Sequence, residues 1–236
     1  MKKPYPNARG QPCCVEASFT LIELLVVIGI IAILAALMLG IGTVVGQKKT
    51  IARAQAQMHK LQTAIEDYKS KMGFYPPSSV FTLADRTNMP VNRAAWNALF
   101  YELTGTVSSG TGRYTNIYNE TLTAADIQNT FGLGGFANSG SSRDEVWNFF
   151  RTVSPEELGN IGTTNRPVWI FALPADGPLA FRSAELTGRQ RWLIPWCYDA
   201  SSTNRINADS YDLWIDIVVG GKTNRVCNWS DAPLVL

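Results

Sequence analysis

Histidine is all but missing from this chain, with His59 the single example. A metal site built on several imidazoles is therefore excluded, and no serine or cysteine constellation can be assembled around His59 from the sequence. Charge of one sign is also missing. The formal net charge is +2, and residues 1–18 carry all of it, since without Lys2, Lys3, Arg9 and Glu16 the chain keeps 18 basic and 18 acidic residues. A neutral chain with no basic stripe gives no reason to expect a nucleic-acid partner. The glycine-rich stretches 108–112 and 132–142 follow no clear strand, so they read as surface loops and not as phosphate cradles. With no nucleophile, base or metal cluster in view, the chain reads as a non-enzyme. Two further absences are positional: residues 24–46 contain no charge, and no tryptophan precedes Trp96. That asymmetry reads as an anchor followed by a separately folded head.

The uncharged run supports the first half of that reading. Leu24 to Val45 is apolar, glycine or a single threonine, and as a helix it would extend roughly 33 Å, the thickness of a bilayer core. It is too long for the apolar part of a secretory signal, and no small-x-small cleavage site follows. Lysines and arginines flank it on both sides, so charge does not orient it. Ala32, Ala36 and Gly40 recur every four positions and Gly42 and Gly46 form a G-x-x-x-G pair, spacings that favour close helix approach in lipid. Glu23 stands at the mouth of the run. A carboxylate within a membrane helix costs about 2.5 to 3.5 kcal/mol and calls for a partner. Two partners are open: the start of its own helix, which favours an anion, or a cation from another chain.

Beyond Gln47, Ile51, Ala54, Met58, Leu61, Ile65, Tyr68 and Met72 form an apolar stripe in steps of three and four, the pattern of a helix packed on a core. Gly73 and Pro76-Pro77 end it. Helices are expected over about 92–104, over about 143–150, and after the capping box Ser154-Pro-Glu-Glu157. Asp212 to Val219 alternates, with Leu213, Ile215, Ile217 and Val219 on one face; 225–229 and 192–198 are its candidate partner strands.

Phe19-Thr-Leu-Ile-Glu23, after a short basic leader and before an apolar helix, resembles the class III signal of type IV pilins and type II secretion pseudopilins. Lys71-Met-Gly-Phe-Tyr-Pro76, Pro195-Trp196 with Tyr198, and Tyr211-Asp-Leu-Trp214 are similar to segments of the major pseudopilins. The match leaves residues of about 78–190 uncovered. The resemblance implies cleavage by prepilin peptidase between Ser18 and Phe19, methylation of the Phe19 amine, and assembly through Glu23 pairing with that amine on a neighbouring subunit. Ser18 stands where the family usually has glycine. The implied organisation is a leader, 1–18; a transmembrane and assembly helix, 19–46; its amphipathic continuation, 47–73; and a periplasmic head, 74–236, with a variable insertion at about 78–190. The expected fold is α+β: a long N-terminal helix, membrane-spanning in its first half, packed on a C-terminal antiparallel sheet. The expected protein is a single-pass inner-membrane subunit, cytoplasmic at its N-terminus, in a filament of pilin-like subunits that serves protein secretion. A binding or adhesive protein, pilus-associated or membrane-anchored, is the alternative.

In those relatives a C-terminal loop binds calcium, and Asp199, Asp209, Asp212 and Asp216 are the local acids here. Asp212 and Asp216 share one strand face about 13 Å apart, and Cys197 and Ile215-Asp216 depart from the family's residues, so solvated acids are the other reading. Cys197 and Cys227 fall on separate expected strands. A disulfide between them and a pair of buried thiols are both open.

Overall fold

The computed structural model describes residues 20–78, 92–184, 190–201, 203 and 205–236. Side chains at 37–45, 47, 92, 93, 184 and 190 are not among those described. Ser18 and Phe19 lie outside the described residues. The chain divides into two units, with the boundary between Val45 and Gly46.

Helix α1, Leu21–Met72, supplies residues to both units. Among the described residues no helix is long and apolar enough to cross a membrane. The membrane-spanning first half, and with it the single-pass inner-membrane placement, is therefore corrected.

In the second unit Ala54, Met58, Leu61, Ala64, Ile65 and Tyr68 are buried, with Ile51 and Met72 half-buried against them. The face opposite the stripe is not simply solvated. Gln57 is buried, and its amide donates to the carbonyls of Glu157 and Ala172. Arg53 and Lys60 reach Glu156 and Glu157. The helix is thus held on two sides, which a single heptad stripe does not reveal. Gly73, at φ 86, closes it by donating to the Lys69 carbonyl at 2.8 Å, a left-handed conformation that glycine adopts without strain.

The expected single antiparallel sheet is also corrected, because among the described residues the strands form three four-stranded sheets. The first comprises β1 (Thr106–Ser108), β2 (Arg113–Thr115), β3 (Thr121–Thr123) and β4 (Ser139–Gly140), in the order β3-β2-β1-β4. Its β1 and β4 pair in parallel. The second comprises β5 (Leu158–Asn160), β6 (Trp169–Leu173), β7 (Phe181–Ala184) and β8 (Gln190–Pro195), ordered β5-β6-β8-β7. The third comprises β9 (Cys197–Asp199), β10 (Asp212–Val219), β11 (Lys222–Cys227) and β12 (Leu234–Val235), ordered β12-β11-β10-β9. The run 192–198, expected as one strand, switches sheets at Trp196. Its N–H donates to the Phe171 carbonyl at 3.0 Å, and its carbonyl accepts from the Asn97 amide at 2.8 Å. Asn97 also breaks the helix expected over 92–104. Its amide bonds the Ala94 carbonyl and its oxygen takes the Leu99 N–H, leaving α2 (Asn92–Ala95) and α3 (Leu99–Thr104). Short polar side chains that compete for backbone groups interrupt helices in this way.

The helix expected at 143–150 is only a 3-10 turn, Arg143–Glu145; the Ser142 side chain caps nothing, while Ser141 binds Glu145. The Ser154 capping box forms, over the 3-10 turn Pro155–Glu157. Helix α4, Ala124–Phe131, was not expected, although Thr123 and Asp126 form a reciprocal capping box at its start. The signal was the short T-A-A-D motif, with only eight residues of helix behind it.

Candidate functional site

The described part of α1 before Gly46 begins with a closed polar ring. The Thr20 N–H and hydroxyl donate to Glu23 Oε2 at 2.9 and 2.7 Å, and the Glu23 N–H donates back to the Thr20 hydroxyl at 3.3 Å. Thr20-Leu-Ile-Glu23 is a capping box, so one carboxylate oxygen is committed to the helix start. Of the two partners left open by the sequence, the geometry shows the helix start; the other requires Phe19, which is not described. Behind this cap lies a continuous apolar surface. Each large apolar side chain from Leu21 to Leu34 is between 45% and 80% exposed. Exposed apolar area of that extent marks a contact surface.

The segments that carry the family resemblance are brought together in the second unit. Tyr75 packs on Tyr211 with ring centroids 5.0 Å apart, and the buried Tyr198 hydroxyl donates to the Pro76 carbonyl at 2.9 Å. Ser78 Oγ accepts the Ala200 N–H at 2.9 Å. The end of α1 is thereby fastened to β9 and to the start of β10.

The four acids do not converge. Asp199 and Asp212 are cross-strand partners of β9 and β10. Asp212 spends one oxygen on the Ile206 N–H and the other on the Asn207 N–H, at 2.7 and 2.9 Å. Asp199 Oδ1 accepts from the Ser201 N–H. Asp216 is held by the Arg225 fork at 2.7 and 2.8 Å, and Asp209 is exposed. A hard cation wants six to eight oxygens around one point; here the carboxylates already serve N–H donors, and among the described residues no group of three potential ligands forms.

Cys197 and Cys227 are free, buried thiols. Both lie opposite Trp214, one from each side. They are therefore two strand spacings apart, about 10 Å, beyond the reach of a disulfide. Burial pushes both thiols up from their ordinary range. His59 is exposed on α1, where its carbonyl accepts the Thr63 hydroxyl.

One buried charge escaped sequence reading. Glu102, on α3, has no solvent exposure. Its Oε1 accepts the Ala137 N–H at 2.8 Å; its Oε2 accepts the Asn138 N–H and the Tyr68 hydroxyl, each at 2.9 Å. Burial pushes this carboxyl up, and the Asn138 and Ala137 N–H groups with the Tyr68 hydroxyl pull it part of the way back. The carboxylate thus joins α1, α3 and the segment leading into β4, and Thr106 donates to the Asn138 carbonyl where the parallel β1–β4 pairing begins. Glu102 sits between apolar neighbours in a helical pattern, which gives no hint of three donors arriving from elsewhere.

No family model, curated protein or solved structure matches the chain.

Proposed function

We propose that this chain is a structural subunit of the pseudopilin kind, matured by cleavage between Ser18 and Phe19 and assembled side by side with similar subunits through the start of α1. The observation that carries the reading is the helical surface from Leu24 to Leu34 behind the Glu23 cap, which holds no charge and whose large side chains are all exposed. Burying such a surface returns about 25 cal/mol for each Å² removed from water, so matching helices from neighbouring subunits are its natural cover. The Phe19-Thr-Leu-Ile-Glu23 segment and the quoted C-terminal segments support the same reading. The other oxygen of Glu23, free of the cap, is available to a neighbour's amine.

The test combines N-terminal mass spectrometry with crosslinking. The expected mature protein begins at a methylated Phe19, and Ile28→Asp abolishes crosslinked multimers while near-ultraviolet circular dichroism of the head is unchanged. An N-terminus at Met1, or multimers at normal yield in Ile28→Asp, refutes the proposal.

A further inference from the structure

An open groove of about 690 Å³ runs along the second half of α1, between its Lys60–Lys71 face and the irregular stretch Trp147–Thr152. That is within the size range of ligand sites. Three cations border it, Lys60, Lys71 and Arg151, against one acid, Asp67. Lys60 also contacts Glu157 at 2.7 Å, and Lys71 lies over the half-exposed Trp147 ring at 3.9 Å. Arg151 is exposed and takes part in no hydrogen bond or ion pair among the described residues. The wall beyond Trp147 has a second property. Phe149 and Phe150 direct their N–H groups inward to the Leu103 carbonyl. Arg151, Thr152 and Val153 then run without any backbone hydrogen bond among the described residues, up to the Ser154 cap.

A segment whose N–H and C=O groups have no partner among the described residues, although it belongs to no strand, can pair them with the main chain of an added extended segment. Its surroundings select the chain's charge. Two aromatic side chains at the wall, Trp147 and Phe149, offer apolar contact, and the border carries an excess of positive charge. We infer that this groove binds an extended acidic segment of another protein, pairing main chain to main chain along 151–153, with its carboxylates toward Arg151 and Lys71. The inference is independent of the proposed assembly through residues 21–34, since every residue it uses belongs to the Gly46–Leu236 unit.

The experiment titrates the full chain into a fluorescently labelled, end-capped peptide of alternating glutamate and valine and follows anisotropy. Saturable binding is expected, and it weakens with salt because the charges are solvent-exposed. Arg151→Glu weakens it about fivefold, the scale of reversing one exposed charge contact, whereas Lys222→Glu, at the start of β11 and not among the residues lining the groove, leaves it unchanged. N-methylation of alternate peptide residues abolishes binding. No binding, equal binding of the lysine-valine peptide, equal binding of oligothymidylate, or indifference to Arg151→Glu or to N-methylation overturns the inference.

Discussion

Replacing Tyr68 with phenylalanine removes one hydroxyl and leaves the ring's volume in place. The ring is completely buried between α1 and the head, so no cavity opens and the change isolates the hydrogen bond to Glu102 Oε2 at 2.9 Å. A hydrogen bond to a charged group is worth about 1.5 to 3 kcal/mol. Glu102 retains the Ala137 and Asn138 N–H groups, so the loss falls at the lower end, about 1.5 to 2 kcal/mol. For a unit of this size that is a drop in melting temperature of about 3 to 8 °C. Urea unfolding at neutral pH, followed by far-ultraviolet circular dichroism, measures it directly. A double-mutant cycle with Glu102→Gln isolates the pair, with an expected coupling of at least about 1 kcal/mol. A loss below about 0.5 kcal/mol, or additive single effects, refutes the view that Glu102 fastens α1 to α3 through Tyr68.

The same carboxyl predicts a pH dependence. Its folded value is raised by burial, so between the unfolded and folded values the native state binds more protons, and stability falls as pH rises through that window. Urea midpoints across the acid range should show this falling component in the wild type and lose it in Glu102→Gln. Gly105→Ala should cost about 1 to 3 kcal/mol, since Gly105 has φ 73 and an added Cβ would lie 2.9 Å from the Trp147 carbonyl oxygen; thermal melts check it. Thr123→Ala should cost about 1 kcal/mol by removing the α4 cap, as read by urea unfolding. Thiol reagents should label Cys197 only after denaturation, because it is buried and its thiol is pushed up; labelling of the native protein at the rate of a free thiol contradicts that placement.

Strictly periodic or reciprocal patterns were readable before any coordinates. The 51–72 stripe shows its burial in its spacing, Gly73 and Pro76 mark the end of α1, and the alternation from Asp212 to Val219 gives β10 with its buried face. Local capping chemistry could be read in Ser154–Glu157, and in principle also in Thr20–Glu23 and Thr123–Asp126, because each box is closed by residues three apart. The helix at 143–150 failed as an expectation because an acidic first turn is a weak preference, and the chain instead spends Phe149 and Phe150 on the Leu103 carbonyl, more than forty residues away.

The sequence by itself determined the periodicities, the caps and the uncharged surface at the head of α1, because these depend on neighbours within a turn or a pleat. Only the tertiary structure decided that Glu102 is a three-donor clasp, that Trp196 carries the chain from one sheet to the next, and that Asp199 and Asp212 accept loop N–H groups while Asp216 pairs with Arg225. It also decided that Trp214 separates Cys197 from Cys227. The clasp and the sheet switch depend on which backbone groups from elsewhere in the chain arrive beside a side chain, and that is set by the packing of elements far apart in sequence, as when Tyr68 and Ala137 meet at Glu102.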